Sequence, residues 1–330
     1  MRKIRFGVLS TARIARLRVI PAIADCQLAK VDAICSRNMA RAQEVATELQ
    51  IPIVHGDYKS LINDDRIDAI YNPLPNHMHV EWSIRAIEAG KHVLCEKPLG
   101  LDAHDAQRLL NASVANPGVK VMEAFMYRFH PQWQRAHEIV QAGGLGRLSK
   151  IHTNFSFELT QADNIRLRPD MGGGALMDIG CYGISGPRFL LEREPLRVRS
   201  HMRHNDQQVD LQCDGELDFG QGQHASFHAC IDGERKQSVR IEGSEGSMTL
   251  PMAFGPPPEE SAKIQIDWRD GRKEEIVVPP ANQFGRQVDA FSSAILHGDP
   301  VPTPLADAFA NMKVIDAIRQ SDGIDWKPVK

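Results

Sequence analysis

The chain has 330 residues, of which 42% are hydrophobic and 25% charged, with a formal net charge of −3 at pH 7. This composition is typical of a globular protein long enough for two domains, and the small net charge argues against a nucleic-acid or anionic-membrane ligand. No apolar run reaches the roughly 18–20 residues of a membrane span. Arginines interrupt the apolar stretch near the N-terminus, which argues against a secretory signal, and six scattered cysteines without a C-x-x-C pair fit a reducing cytoplasm.

The first 122 residues alternate short apolar runs with helical patterns. Strands are predicted at Ile4–Leu9, Ala29–Cys35, Ile53–Val54, Ile67–Tyr71, His92–Cys95 and Val119–Glu123. Helices are predicted at Ala12–Ala24, Met39–Leu49, Val80–Ala89 and Ala103–Val114. Strands separated by helices of this length indicate βαβ units and a parallel sheet, so residues 1–122 are predicted to form the first domain.

Residues 123–330 show a different pattern and are predicted to form the second domain. Apolar and polar residues alternate in Ile151–Glu158 and in Val209–Phe219, where Asp210, Asp214 and Asp218 share the polar side. Further strands are predicted at Ala225–Cys230, Val239–Ile241, Ile264–Trp268 and Ile276–Val278, and helices at Gln132–Gln141, Phe284–Leu296 and Leu305–Gln320. This pattern predicts a meander-like sheet with one face on a core and one polar face.

The turn after the first strand is the first candidate binding site. The segment Gly7–Ala15 stands where a dinucleotide-binding fold carries G-x-G-x-x-G, whose small residues let backbone N–H groups approach a pyrophosphate. Ser10 and Ala12 replace two of the glycines, so an ordinary tight turn is the alternative. The position inside a repeated βα pattern favours binding. The predicted contacts are Gly7, Ser10, Thr11, Ala12, Arg13 and Ile14.

The end of the second strand indicates which dinucleotide is bound. An NAD site usually has an acidic residue there, which binds the ribose 2′-hydroxyl. This chain has Ser36 and Arg37 instead, and Arg41 follows one helical turn later. A hydroxyl and guanidinium groups suit a 2′-phosphate, although Arg37 as a solvated loop residue is the alternative. The predicted cofactor is therefore NADP(H).

Several longer motifs carry a resemblance to a known family. Tyr71–His79, Ala89–Leu99 with its Glu96-Lys97-Pro98, Glu123–Pro131 and Gly172–Tyr182 together resemble the Gfo/Idh/MocA oxidoreductases. The last two segments are similar to the branch of NADP-dependent D-xylose 1-dehydrogenases and trans-1,2-dihydrodiol dehydrogenases. The resemblance spans nearly the whole chain.

The resemblance implies an α/β fold: an N-terminal Rossmann domain plus a C-terminal α/β domain with a large, mostly antiparallel open sheet. It also implies a homo-oligomer, a dimer or higher, formed through that sheet. The Lys97–Pro98 bond is expected to be cis, and Lys97 and Tyr182 are expected to bracket the reacting carbon. Further cofactor contacts are expected within these motifs, at Pro73, Leu74, Asn76, His79, Glu96, Lys97 and Arg128.

Chemistry of the side chains suggests their roles. Lys97 directly follows a strand, and strand carboxyl ends line the ligand crevice of open α/β sheets. Asp178 and Tyr182 are four residues apart in a helical pattern, so they share one face; a core aromatic and a surface carboxylate are the alternatives. Tyr182 is the candidate general acid–base, and substrate hydroxyls are expected to meet Asn154, Glu158, Arg166, Asp178 and Tyr182.

These features predict an NADP(H)-dependent dehydrogenase acting on a sugar hydroxyl, such as C1 of a D-xylose-like aldose, or on a cyclic diol. The alternatives are an NAD-dependent glycosidase of the same family and a non-catalytic sensor of dinucleotide and sugar. Ser36 and Arg37 argue against the first alternative, while Lys97 and Tyr182 argue against the second. No metal site is expected, because the His77-x-His79 pair lacks a nearby third ligand.

Overall fold

The structure, a computed structural model, describes residues 2–330, which form two units. Unit 1 consists of the chain up to Met126 together with Asn282–Phe309, and unit 2 consists of Tyr127–Ala281 and Ala310–Lys330. The first boundary lies close to the predicted one at residues 122 and 123. The segment Asn282–Phe309 was expected in the second domain, but the structure places it in unit 1.

Packing and hydrogen bonds explain why Asn282–Phe309 belongs to unit 1. The Phe291 ring lies 6.4 Å from the ring of Phe6, with both side chains fully buried. The Asp289 carboxylate accepts a hydrogen bond of 3.0 Å from the Leu28 N–H. Sequence alternation alone carries no signal for such a return of the chain to an earlier core.

Unit 1 is built on a six-stranded sheet whose paired strands are all parallel, in the order β3-β2-β1-β4-β5-β6. The strands are β1 Ile4–Leu9, β2 Ala29–Cys35, β3 Ile53–His55, β4 Ala69–Asn72, β5 His92–Cys95 and β6 Val121–Glu123. This is the strand order of a doubly wound dinucleotide-binding sheet, in which ligands bind outside the strand carboxyl ends. The predicted Rossmann domain is confirmed.

Helices connect the strands of unit 1. They are α1 Ile20–Ala24, α2 Met39–Glu48, α3 Tyr58–Ile62, α4 Asn76–Glu88 and α5 Ala103–Ala115, with α8 Gln283–His297 from the later segment. A π-helical stretch, Ala15–Val19, leads directly into α1. Gly90 ends α4 with a φ of +75°, as predicted for a capping glycine. The side chain of Asn38 caps α2 by accepting a hydrogen bond from the Arg41 N–H.

Unit 2 is built on a nine-stranded sheet in the order β14-β13-β12-β11-β7-β10-β9-β8-β15. The strands are β7 Leu148–Glu158, β8 Arg197–His204, β9 Asp210–Asp218, β10 His224–Cys230, β11 Asp232–Gly243, β12 Gly246–Leu250, β13 Ala262–Trp268, β14 Lys273–Val278 and β15 Lys327–Pro328. Neighbouring strands are antiparallel except β7 and β10, which run parallel. The large, mostly antiparallel sheet is confirmed, but it is not a simple meander.

The helices of unit 2 cover one face of this sheet. They are α6 Pro131–Gln141, α7 Cys181–Leu191 and, across the unit boundary, α9 Leu305–Arg319; the 3-10 turns are Met126–Phe129, which spans the first boundary, Ile165–Leu167 and Pro169–Met171. A second π-helical stretch, Leu176–Gly180, leads into α7. The opposite face carries the polar residues of the alternating strands, for example the Arg199–Glu216 ion pair at 2.9 Å. Within residues 2–330, none of the helices is both long and apolar enough to span a membrane.

Candidate active site

The turn after β1 has the tight geometry that a dinucleotide loop requires. Ser10 adopts a φ of +96°, a conformation that usually calls for glycine. Its N–H donates to the Cys35 carbonyl oxygen at 2.9 Å, and its Oγ accepts from the Ala12 N–H at 3.2 Å. Gly7 lies within β1, where the side chains of Leu61 and Ile67 leave no room for a Cβ. Gly7 therefore has a packing role whether or not it approaches a cofactor.

The end of β2 presents a hydroxyl and basic side chains. The Ser36 Oγ accepts from the Asn38 N–H at 3.2 Å, while the exposed Arg37 follows it. Arg41, in the first turn of α2, forms an ion pair with Glu44 at 2.5 Å. Burial raises the pKa of Tyr58, and the nearby Arg37 guanidinium opposes that shift, which places positive charge at this sheet edge. The donors present here fit a phosphate monoester.

His79 is fully buried between two loops of the same sheet edge. Its Nδ1 lies 2.8 Å from the carbonyl oxygen of Pro98, and its Nε2 lies 2.7 Å from that of Leu74. Burial lowers the pKa of His79 to about 4, although both carbonyl oxygens act in the opposite direction. Both ring nitrogens are thus engaged by the protein, so His79 joins the loops after β4 and β5 and is not placed to bind a metal.

Lys97 lies two residues after the end of β5 and is half-buried, and its bond to Pro98 is cis, as expected. Its ammonium contributes to the lowered pKa of His79, after burial, so the two side chains lie near each other. The neighbouring Glu96 accepts a hydrogen bond of 2.7 Å from the Tyr71 hydroxyl. The Glu96-Lys97-Pro98 motif therefore lies at the carboxyl ends of β4 and β5, and Asn76 lies shortly after β4 in the chain, at the start of α4.

In unit 2, the structure brings together Arg166, Asp178 and Tyr182. The Arg166 Nε donates to the Asp178 Oδ2 at 2.6 Å, and the guanidinium lies 5.8 Å from the centre of the Phe157 ring. The charges of Asp178 and, less strongly, of Tyr182 raise the pKa of Arg166. The Tyr182 hydroxyl is therefore electrostatically coupled to the Arg166 cation. Three predicted substrate contacts thus form one electrostatic group.

Tyr182 is only 4% exposed and its ring is held by aromatic neighbours. Its ring centre lies 5.0 Å from that of Phe254, 5.5 Å from that of Phe155 and 5.8 Å from that of Tyr127. Such a setting fixes the ring direction, because aromatic pairs prefer tilted and edge contacts at these distances. The hydroxyl is therefore presented in a defined orientation from the first turn of α7.

The glycine segment before Asp178 packs against protein atoms. Gly174 has a φ of +110°, and a Cβ there would collide with the Asp210 carboxylate. The Gly174 N–H donates to the Arg166 carbonyl oxygen at 2.9 Å. Asp210 was expected on the polar face of its strand. Instead, because β9 begins at this residue beside a register shift in β8, its Oδ2 accepts from the Leu176 N–H at 2.7 Å.

The other predicted contacts of the second domain are Arg128, Asn154 and Glu158. The Arg128 guanidinium donates to the Ser185 Oγ at 2.8 Å, and that hydroxyl lies 2.7 Å from the Tyr127 hydroxyl. Asn154 alternates with Phe155, which contacts Tyr182, so Asn154 lies on the opposite face of the sheet; Glu158 is exposed at the strand end. The structure does not bring Asn154 and Glu158 to the Arg166–Asp178–Tyr182 group.

One group of side chains within residues 2–330 has metal-like spacing, namely Asp102, His104 and Asp105. Its carboxylates already serve the start of α5. The Asp102 Oδ1 accepts from the Asp105 N–H at 2.8 Å, and the Asp105 Oδ1 pairs with Arg108 at 3.0 Å. Helix capping accounts for this group.

Sequence reasoning missed Asp210, Ser185 and the aromatic neighbours of Tyr182. Ser185 lies three residues after Tyr182 in α7, a spacing that would have placed it on an adjoining part of the helix. Asp210 lies 34 residues from its partner Leu176, and no local pattern reveals such a contact. The two π-helical stretches, one in each unit, were also missed, although π-turns are frequent at functional sites.

Both parts of the chain are similar to known proteins. Residues 4–125 match an oxidoreductase family with an NAD-binding Rossmann fold, and residues 133–249 match the GFO/IDH/MocA C-terminal domain. The chain is 38% identical over 317 residues to "D-xylose 1-dehydrogenase (NADP(+)) 2" of Haloferax volcanii, covering 96% of each protein. It is 27% identical to a mouse (Mus musculus) trans-1,2-dihydrobenzene-1,2-diol dehydrogenase, covering 77% of this chain and 76% of the relative.

A solved crystal structure has the same fold as this chain. The 3-ketoreductase from Actinomadura kijaniata, crystallised with NADP and TDP-benzene, superimposes with a TM-score of 0.92 and 32% identity, covering 97% of this chain and 98% of that one. Both halves of the chain and nearly its full length are therefore matched. The chain belongs to the GFO/IDH/MocA oxidoreductase family.

Proposed function

We propose that the chain is an NADP(H)-dependent oxidoreductase that acts on a hydroxyl-bearing carbon of a sugar or a cyclic diol. The observation that carries the proposal is the grouping of Arg166, Asp178 and Tyr182. A carboxylate and a guanidinium are good partners for substrate hydroxyls, and a tyrosine hydroxyl near a cation can exchange a proton.

Residues of the β1 and β2 ends would hold the cofactor. The turn at Ser10–Ala12 would receive the pyrophosphate, because it directly precedes the start of a helix, where backbone N–H groups favour an anion. Ser36, Arg37 and Arg41 would bind the 2′-phosphate, with Arg41 exchanging its Glu44 partner for the ligand. The remaining contacts that we propose are Gly7, Arg13, Ile14, Pro73, Leu74, Asn76, Glu96, Lys97 and Arg128. His79 would act indirectly, by fixing the Leu74 and Pro98 loops.

The protein's part in the reaction is to orient the substrate and move one proton. When bound, the nicotinamide supplies hydride exchange with the reacting carbon. Tyr182 takes the hydroxyl proton during oxidation and returns it during reduction. A free tyrosine has a pKa of about 10, and a neighbouring cation favours its phenolate. We assign that task to Lys97 together with Arg166, and we assign Asp178 to the orientation of a substrate hydroxyl.

The substrate that we propose is a pyranose aldose such as D-xylose, oxidised at C1 to a lactone, with dihydrodiols as the second candidate. Support comes from the names of the Haloferax and mouse relatives. The aromatic side chains of Phe155, Phe157 and Phe254 add apolar surface beside the polar group, as ligand sites for sugars and diols need.

The test is a substrate panel with the purified full-length chain. D-xylose, D-glucose, a trans-dihydrodiol and a linear 2-hydroxy acid are each incubated with NADP⁺ or NAD⁺, and the absorbance of the reduced nicotinamide is followed. We expect turnover of a cyclic substrate with a preference for NADP⁺. Turnover of the linear acid alone would refute the proposal. An aryl glycoside is added to the panel as a further substrate, and release of free sugar from it without net reduction would instead identify the glycosidase alternative.

A further inference from the structure

A half-buried carboxylate holds the start of the helical segment that bears Asp178 and Tyr182. Asp210, the first residue of β9, accepts the Leu176 N–H through its Oδ2 at 2.7 Å. Its Oδ1 fills the space where any side chain at position 174 would begin, so Gly174 admits the carboxylate. The two bonded residues are 34 positions apart, and the contact ties the helical segment that leads into α7 to the start of β9.

The hydrogen bond from Leu176 to Asp210 holds the first residue of the segment Leu176–Gly180. Leu176–Gly180 is π-helical, and π-turns are rare interruptions of regular helices. Asp178 lies within this stretch and Tyr182 follows in the first turn of α7. The N–H groups at a helix start lack intrahelical partners, so the Asp210 bond satisfies one of them. A shift at Leu176 would therefore move Asp178, and with it the carboxylate that meets Arg166.

We propose that Asp210 is a positioning residue, which fixes the start of this helix and so sets the placement of Asp178 and Tyr182. The inference rests on the proposed functional roles of those two residues. Asp210 does not itself touch substrate in this account. Its effect is on the geometry of the groups that do, and a misplacement of about 1 Å in an active site can cost about a hundredfold in rate.

The charge state of Asp210 is set by groups on several elements. Burial raises its pKa to about 6, and the Leu176 N–H and its own N–H oppose that shift. Arg319 of α9 and His204 of β8 oppose it further, while Cys213 shares its strand. A carboxylate is a stronger acceptor than a neutral carboxyl group and complements a helix N-terminus. Activity should therefore fall as the pH drops through about 6.

The contribution of Asp210 to the free energy of unfolding should vary with pH in the opposite direction from its contribution to activity. Because the folded-state pKa of Asp210 is raised to about 6 above an unfolded value of about 3.9, its contribution to stability is full below pH 4 and lost as the pH rises through 6. An amide in its place removes the cost of the buried charge. Asp210→Asn should therefore raise the melting temperature at pH 8. A residue with only a structural role would not combine higher stability with altered activity.

The experiment compares Asp210→Ala, Asp210→Asn and the matched control Asp206→Asn, whose residue is exposed in the preceding turn. The readouts are the pH profile of kcat and amide hydrogen exchange of residues 174–191. We expect Asp210→Ala to lose at least about tenfold in kcat, within the cost of a misplaced catalytic group, and to exchange faster. Asp210→Asn cannot ionise, so it should lack the acidic limb near pH 6, and its exchange should lie between that of the unaltered protein and that of Asp210→Ala. The control should match the unaltered protein in both readouts.

Two results would overturn the inference: unchanged exchange in Asp210→Ala, or a wild-type acidic limb in Asp210→Asn. A parallel Tyr182→Phe variant separates this inference from the proposed function. If Tyr182→Phe is inactive while Asp210→Ala keeps full kcat, the positioning role is refuted and the proposed function stands. If both variants keep full kcat, both ideas are refuted.

Discussion

Tyr182 is at once a packed aromatic and a candidate catalyst. Its ring is buried among Tyr127, Phe155 and Phe254, which fits the interpretation of a core residue. Its electrostatic interaction with Arg166 fits the interpretation of a catalyst, because a cation close to a tyrosine hydroxyl favours the loss of its proton. The packing and the charge are compatible, since a general acid–base must be held in one orientation.

Arg37 gives a sharp test of cofactor choice at the residue scale. Arg37→Asp should weaken NADP⁺ binding much more than NAD⁺ binding, because it replaces a cation near the proposed 2′-phosphate by a repelling carboxylate. Dissociation constants for both dinucleotides, measured by titration, give the comparison. Arg135→Asp is the matched control, because Arg135 is exposed on α6 in the other unit. Equal affinity of the unaltered chain for both cofactors would contradict this assignment.

His79 predicts a pH dependence of stability. Its folded-state pKa of about 4 lies below its usual value of 6.5, so its contribution to stability is present above pH 6.5 and lost as the pH falls towards 4. The difference corresponds to about 3 kcal/mol. Urea unfolding from pH 7 to pH 4 should show this loss in the unaltered chain. His79→Gln should show a smaller loss, and an identical acid dependence in both proteins would assign the effect to other groups.

At the element scale, the glycine segment before α7 leaves no room for a side chain at position 174. Gly174→Ala should destabilise the fold, because it combines a φ of +110° with a collision against Asp210. Gly222→Ala is the matched control: its φ is +76°, but nothing lies within 4 Å of an added Cβ. Gly222→Ala should lower the free energy of unfolding by about 1–2 kcal/mol because of its backbone conformation. Gly174→Ala should lower it clearly more. Similar unfolding free energies for the two variants would show that the Asp210 carboxylate can move aside for a Cβ at position 174 at little cost.

The elements also show where sequence patterns succeed. β9 was predicted to within one residue at each end because Cys213 and Leu217 alternate with charged residues and are fully buried. β8 was missed because its buried positions include Ser200, whose hydroxyl binds the Ile318 carbonyl oxygen instead of joining an apolar pattern. Side-chain hydrogen bonds to distant elements replace hydrophobic contacts there, and periodicity does not detect them.

At the scale of the whole molecule, the contacts between residues far apart in the chain could not be predicted from the sequence. The parallel sheet of unit 1 follows from local alternation of strands and helices. The return of Asn282–Phe309 to that unit and the Asp210 anchor depend on residues far apart in the chain. Asp178 and Tyr182 were identifiable from the motif, while the geometry of their support was not.

We also propose that the chain assembles as at least a dimer through the polar face of the nine-stranded sheet. That face carries complementary charges, such as the Arg199–Glu216 and Arg197–Asp218 pairs. Light scattering of the purified chain at micromolar concentration should give at least twice the mass of 36.8 kDa. Arg199→Glu should lower that mass because it adds negative charge to the face that would meet the same face of a second chain. A monomer in the unaltered protein would refute the proposal.

The most direct test of the account is the activity of Tyr182→Phe with NADP⁺ and the best cyclic substrate of the panel. The substitution removes the hydroxyl and keeps the ring contacts, so the fold and the affinity for NADP⁺ should be unchanged. We expect kcat to fall by at least about a hundredfold, the usual effect of removing a general acid–base. A fully active Tyr182→Phe enzyme would contradict the central claim, because the proton would then pass through another group.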